Sequence, residues 1–316
     1  MKVLVVGECM AEFRQNSSGV WQQAFAGDVF NTAVYLKRLS AETGVAFAST
    51  TGKDMLSQQL RQYCERVSLD IRWLKSHESR SCGLYFIQTD EQGERQFSYY
   101  RERSAARTLV QQFTAADWCA ISEQTDWVFY SAITLSILSA EDRKRFIEHL
   151  MRLRRQGVKL AFDTNYRASL WESCDSARTW VYCAIDNSDL VFAGTEDMAG
   201  ILNCPAITAK QLANELAELS VPELVLKAGK EEVGLLVDGD YLTFAVEPVS
   251  KVVDTTAAGD SFNAGYLAAL LNGQPLSERV QWAKTLAAQV IQYPGAIIPE
   301  SAMPTMVPNK SDHQHG

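Results

Sequence analysis

The sequence predicts an α/β fold: a mostly parallel central sheet covered on both faces by helices, with a small β-sheet lid at one edge. Three observations carry this expectation. From Trp127 onward, strand-length apolar runs alternate with helix-length segments, the rhythm of a parallel sheet. Those runs are continuously apolar rather than alternating, as strands buried on both faces must be. Four earlier segments, Ala11–Phe13, Val20–Phe25, Leu84–Gln88 and Gln96–Arg101, break that rhythm. They are short, partly alternating and bounded by turn residues such as Asp90–Gly93, which suits a separate flap.

In chain order, Lys2–Gly7 reads as a buried strand ending at glycine, and a helix follows Gly27 to about Leu39. Val45–Thr50 is a second buried strand and Met55–Arg66 a second helix. Strand Trp127–Tyr130 precedes helix Glu141–Arg155, and strand Lys159–Asp163 precedes a helix near Ser173–Ile185. Strand Leu190–Ala193, a short helix, helix Thr208–Leu219 and strand Glu223–Lys227 continue the pattern. Strands Gly234–Asp238 and Leu242–Val246 are separated by Gly239-Asp240, a hairpin signal. Two apolar helices, Gly259–Leu271 and Leu276–Tyr293, complete a single domain over residues 1–303, with lid strands from about 10–25 and 80–102. Residues 304–316 read as a frayed polar tail in which His313 and His315 are solvated.

A formal charge of −8 argues against nucleic acid as the main partner, but not against a small anion held by a few basic residues. Seven cysteines without a CxxC pair point to reduced thiols. The apolar run Val3–Val6 is too short for a signal peptide, and no stretch reaches membrane-spanning length. A cytoplasmic enzyme or binding protein is therefore expected.

The most informative stretch is Val253–Phe262, with the small residues Ala257, Ala258 and Gly259 leading into a helix. Backbone amides converging at a helix start bind anions. Asp260 by itself could simply complement the helix dipole. That explains less well a second acid at Asp254 and the small-residue run between them. The chemistry this pattern suits is phosphoryl transfer: amides of Ala257–Asp260 stabilise the transferring group while the Asp260 carboxylate accepts the proton of the attacking hydroxyl. There is no Walker A sequence and no G-x-G-x-x-G after a strand.

Asp254-Thr-Thr-Ala-Ala-Gly-Asp-Ser-Phe262 closely resembles the C-terminal signature of the ribokinase-like (PfkB) carbohydrate kinases, and Ala26-Gly-Asp-Val-Phe-Asn-Thr-Ala33 resembles their N-terminal signature. Together the two motifs span essentially the whole chain. The resemblance implies a three-layer α/β/α sandwich with a β lid, ATP as phosphoryl donor and Mg2+ arriving with it. Further segments resemble the branch of this family that phosphorylates 2-keto-3-deoxygluconate on its terminal hydroxyl: Val6–Met10, Tyr99–Arg101, Ser104–Ala106, Asp163–Arg167 with Leu170-Trp171, and Gly295–Pro299.

That resemblance implies that Tyr85, Tyr99 and Arg101 hold the substrate from the lid, while Gly27, Asp28 and Asn31 hold its hydroxyls. Arg167 would lie between substrate and ATP phosphates. Lys227 and Gly229 match a turn near the ribose and phosphates, and Asn165 would contact the phosphates or their metal. A planar carboxylate suits Arg101 and Arg167 better than lysine. Tyr99 and Tyr100 alternate in a strand, so one faces the site, and Tyr99 shares its face with Arg101. The family's Asn-x-x-Glu motif for magnesium is altered, since Gly194-Thr-Glu196-Asp197 stands there, leaving Glu196 or Asp197 to act through water. Two rivals remain: a fructokinase or ribokinase type, in which Arg101 would lack a carboxylate partner, and an inactive metabolite sensor, which has no need of Asp260. The resemblance also implies a homodimer through the lid.

Overall fold

The computed structural model describes residues 1–15, 18–89 and 95–306; the expected turn Asp90–Gly93 and the tail residues His313 and His315 lie outside them. In chain order its strands are β1 (Lys2–Val6), β2 (Met10–Gln15), β3 (Trp21–Ala26), β4 (Gly44–Thr51), β5 (Leu74–Ser76), β6 (Leu84–Thr89) and β7 (Arg95–Tyr100), followed by β8 (Trp127–Ser131), β9 (Lys159–Asp163), β10 (Leu190–Gly194), β11 (Glu223–Lys227), β12 (Glu232–Val237) and β13 (Asp240–Ala245). Nine of them form one sheet in the order β13-β12-β11-β10-β9-β8-β1-β4-β5. Pairing is parallel from β11 through β5, and β12 and β13 add an antiparallel edge.

The first strand shows why this sheet is sandwiched. Val3 and Val5 pack into one apolar core while Leu4 and Val6 pack into a second on the opposite face. Each such side chain contributes about 1.5–3 kcal/mol on full burial. Helices Asp28–Leu39, Met55–Arg66, Ala258–Leu271 and Leu276–Val290 bury residues in the first core. Helices Ala115–Gln124, Ala140–Arg155, Cys174–Asp186, Thr195–Leu202 and Ala209–Leu216 bury residues in the second. Many of these helices carry side-chain caps; Asp54, for example, accepts from the Ser57 amide at 3.1 Å.

Strands β3-β2-β6-β7 form the small separate sheet at the expected segments. It is mixed: β2 runs parallel to β6, and the outer pairs are antiparallel. One face carries Glu12, Tyr85 and Tyr99, and the other Phe13, Phe86, Trp21 and Tyr100.

The structure corrects several element boundaries. The β12–β13 turn is Asp238-Gly239, one residue earlier than expected. Both residues adopt positive φ, +52° and +86°, as a two-residue hairpin requires. Strand β5 and helices Leu109–Gln112, Ala115–Gln124 and Ala132–Ile137 had no counterpart in the sequence reading. Thr208–Leu219 is helical only over Ala209–Leu216, and the last long helix stops at Val290 rather than Tyr293. No helix among the described residues is long and apolar enough to cross a membrane.

Candidate active site

The candidate residues gather where parallel strands end. Glu8 follows β1; Ser131 closes β8, Asp163 closes β9, Asp197 lies just past β10, and Lys227 closes β11. This carboxyl edge is where open α/β sheets form ligand crevices.

At the centre is the start of helix Ala258–Leu271. Asp254 folds the preceding loop. Its Oδ1 accepts from the Thr256 amide (3.0 Å) and hydroxyl (2.6 Å), and its Oδ2 accepts from the Gly295 amide (2.7 Å). The second acid noticed in the sequence is therefore a loop brace. Ala257, buried, takes the N-cap position. Amides in a first helical turn have no intrahelical acceptor. Here the Ala258 amide turns back to Thr255 O (3.1 Å), and the first intrahelical bond is Ser261 N to Ala257 O (2.9 Å). Between them lie the Gly259 and Asp260 amides, for which no backbone acceptor is found among the described residues. A Cβ on Gly259 would stand 3.6 Å from Lys227 Nζ, so an ammonium adjoins those amides.

Asp260 is 8% exposed, and its Oδ2 accepts from Asn31 Nδ2 at 2.8 Å. The Thr32 hydroxyl donates to the Asp260 carbonyl (3.2 Å), locking the two helices together. Gly27 lets helix Asp28–Leu39 begin against the backbone that follows β1, since a Cβ there would sit 2.3 Å from the Glu8 carbonyl oxygen. Asp28, next in sequence, accepts from Ser131 Oγ (2.5 Å) and Asn165 Nδ2 (3.0 Å). Asn165 thus braces Asp28 through its amide group.

Two residues outside the sequence-derived set complete the network. Asp163 accepts from Lys227 Nζ and Asn263 Nδ2, both at 2.8 Å, and Lys227 also reaches Asn263 Oδ1 at 3.2 Å. Asn263 lies one helical turn beyond Asp260, on the same face. That spacing was a usable signal, as was an acid ending a buried strand.

Asp28, Asp163 and Asp260 therefore share one crevice with Lys227. Burial pushes the Asp260 carboxyl well above its usual range, and the Asp28 and Asp163 charges add to this, against Asn31 and Lys227. Asp28 is also raised, by burial first and by Asp163, against its hydrogen bonds to Ser131 and Val29 and the Arg101 charge. Asp197 is raised to about 6 by burial and Asp163. Its carboxylate accepts from Thr164 Oγ1 at 3.1 Å, whereas Glu196 points to solvent. Of the two acids left open for a magnesium shell, Asp197 is the one at the crevice.

The lid residues are placed differently from one another. Tyr85 is buried and donates to Glu12 at 2.5 Å. Tyr99 is half exposed, stacks toward Tyr85 with ring centroids 5.5 Å apart, and feels the charges of Arg101 and Arg167. Tyr100 turns to the opposite face, against Phe86. Arg101 is 8% exposed, with Nε and Nη2 lying 2.8 Å and 2.5 Å from the Oε2 of Glu8. This overturns the argument that a neutral sugar would leave Arg101 without a carboxylate: Glu8 already supplies one. Arg167 is more than half exposed, 3.5 Å from Asp197 and bonded to the Tyr166 carbonyl. Gly229 makes the β11–β12 turn with φ +59° and has no neighbour within 4 Å of its Cβ position.

Chemically, the crevice offers an orphan-amide anion cradle, a lysine beside it and a buried carboxylate of raised basicity. Residues 1–303 match the model of the pfkB family carbohydrate kinases. A 2-dehydro-3-deoxygluconokinase from Haemophilus influenzae is 35% identical over 308 residues, covering 96% of this chain and 97% of its own. Among solved structures, a 2-dehydro-3-deoxygluconokinase from Thermotoga maritima superposes with a TM-score of 0.80 at 19% identity, covering 94% of this chain and 96% of its own. A fructokinase from Xylella fastidiosa with bound ATP gives 0.79 at 23%, covering 96% and 95%. With this coverage, the chain belongs to the pfkB family of carbohydrate kinases and has its ribokinase-like fold.

Proposed function

We propose that this protein transfers the γ-phosphoryl group of ATP to the terminal hydroxyl of 2-keto-3-deoxygluconate, giving 2-keto-3-deoxy-6-phosphogluconate and ADP. The observation that carries the reading is Asp260, buried, raised in basicity and held by Asn31 at 2.8 Å beside the Gly259–Asp260 amides. In this reading the Asp260 carboxylate accepts the hydroxyl proton as the new O–P bond forms. The β–γ bridging P–O bond breaks, and ADP leaves with its electron pair. The Gly259 and Asp260 amides and Lys227 would hold the developing phosphoryl charge, with Ala257 and Ala258 as the small residues that lead into them; the Ala258 amide is engaged by Thr255. The orphan amides and the small residues before them fit a triphosphate. Asp197 would hold Mg2+ through water, in keeping with that ion's preference for phosphate and water ligands; the ion, when bound, neutralises phosphate charge. Gly27, Asp28 and Asn31 would face the sugar hydroxyls, with Tyr99, Arg101 and Arg167 facing its carboxylate. The curated relative's name supports the choice of substrate.

A neutral-sugar kinase is the second reading, because Glu8 already satisfies part of Arg101. The test is ADP release by the purified protein with magnesium-ATP and 2-keto-3-deoxygluconate, fructose, ribose or gluconate. Turnover confined to the keto acid is expected. Preferential turnover of fructose or ribose would replace the substrate, and none at all would leave a ligand-binding sensor. We also propose that the protein dimerises through the exposed aromatic face of the small sheet, where Phe86 contacts Phe13, Trp21 and Tyr100.

A further inference from the structure

A polar cavity lies at the root of the small sheet, lined by residues on either side of Arg101. Its volume is about 620 Å³, and Ser79, Arg80, Ser81, Arg103 and Ser104 contribute to its wall beside Tyr100, which belongs to the sheet's outer face. The turn that forms part of this wall is closed by the Ser104 amide bonding the Arg101 carbonyl at 3.1 Å. The Arg101 side chain leaves that turn for Glu8, so its charge is committed elsewhere.

Charge makes this cavity unusual in a chain of net charge −8. Three of the least exposed arginines elsewhere have acids: Arg101 has Glu8, Arg143 has Glu172 and Arg279 has Glu223; Arg80 is half-buried and Arg103 exposed. Among the described residues, no carboxylate lies within ion-pair distance of Arg80 or Arg103, and the exposed Glu102 is the only acid in the wall. Arg107 lies close behind. Burial weakens its hold on its proton, and the Arg101 and Arg80 charges add to this against Glu8 and Glu102. A third feature points the same way. Ser104 is 3% exposed, and its hydroxyl has no hydrogen-bond partner, a costly state for a buried polar group. Two unpaired guanidinium groups against one wall acid, beside an unanswered hydroxyl, suit an anion with several acceptor oxygens. The volume suits a small molecule rather than a bare ion.

We infer that this cavity is a second anion site, lined by other residues than the Gly259–Asp260 cradle, that takes a phosphate monoester of about sugar-phosphate size. The two free guanidinium groups match the charge of a phosphate dianion, and the Ser79 and Ser104 hydroxyls would add donors to its oxygens.

The test uses the full chain saturated with Mg2+ and a non-hydrolysable ATP analogue, so that the crevice cradle is filled. Glucose 6-phosphate and inorganic phosphate are then titrated calorimetrically. Wild type should bind glucose 6-phosphate, and the Arg80→Gln/Arg103→Gln double variant should bind it about tenfold or more weakly, while kcat without added phosphate stays unchanged. Absence of binding to the saturated wild type, or equal binding by the double variant, overturns the site. Inorganic phosphate binding as tightly as glucose 6-phosphate overturns the monoester assignment. The ATP analogue leaves the sugar subsite open, so it is the loss of binding in the Arg80→Gln/Arg103→Gln variant, whose sugar subsite is intact, that assigns the ligand to this cavity whichever sugar the enzyme phosphorylates.

Discussion

Substituting Arg101 is the natural way to ask whether a substrate carboxylate is bound, and the Glu8 pair complicates that experiment in a way that can be quantified. Arg101 and Glu8 are 8% and 2% exposed, and one carboxylate oxygen receives both guanidinium contacts. The other, Oε1, is enclosed and without a partner. Arg101→Ala therefore leaves a buried, uncompensated carboxylate. Breaking such a pair costs about 3–5 kcal/mol, whereas replacing both partners with neutral groups of similar volume is often close to neutral. Urea denaturation of wild type, Arg101→Ala, Glu8→Gln and Glu8→Gln/Arg101→Met should show both single variants strongly destabilised and the double variant recovering most of the loss. Single-variant costs below about 1 kcal/mol, as for a surface pair, would refute the account of Arg101 as a buried, paired charge. The cleaner kinetic probe is Arg101→Lys, which keeps the charge but loses the fork. It should raise KM for the keto acid roughly 10- to 150-fold, the worth of one charge-assisted hydrogen bond of about 1.5–3 kcal/mol. An unchanged KM would remove Arg101 from substrate binding.

Asp260→Asn should lower kcat by about 10²–10⁴-fold while leaving binding of an ATP analogue largely intact; a near-normal rate would end the base assignment. The same variant should be more stable than wild type at neutral pH. A carboxyl with a raised folded pKa contributes stability below its unfolded pKa, and that contribution is lost as pH rises through the folded value. Asp197 follows the same sign. With its folded value at about 6, Asp197→Asn should gain stability relative to wild type as pH rises from roughly 4 to 6; Tm measured without nucleotide or magnesium checks this, and a pH-independent difference would contradict it. Trp21→Ser/Tyr100→Ser should convert a dimer to a monomer in light scattering, and a monomeric wild type at all concentrations would reject pairing through this face.

What the sequence made legible was what local pattern controls. Continuous apolar runs such as Val3–Val6 announced strands buried on two faces, and Gly27 and Gly259 announced helix starts, of which the first has no room for a Cβ. Short amphipathic elements were harder. Helix Ala115–Gln124 hides its apolar side in Trp118 and Ile121 alone, too few to set a period. The hairpin was misplaced by one residue because Gly239 can serve either turn position. Least visible were pairings between distant residues. Nothing near Glu8 signals that its partner lies 93 positions away, and nothing near Asp163 shows that Asn263 and Lys227 converge on it.

The bond between Asn31 and Asp260 joins residues 229 positions apart. During synthesis at about 5–20 residues per second, roughly 10–50 s separate their appearance. Throughout that interval Asn31 and the Gly27 turn wait without the helix they are shaped to meet, although β8, which pairs with the second edge of β1, is made before its midpoint. Gly295, whose amide braces Asp254, appears later still. The catalytic crevice is thus the last part of the molecule to be completed, so a chain truncated before this segment should retain much of its α/β core but lack the phosphoryl-transfer loop's final brace.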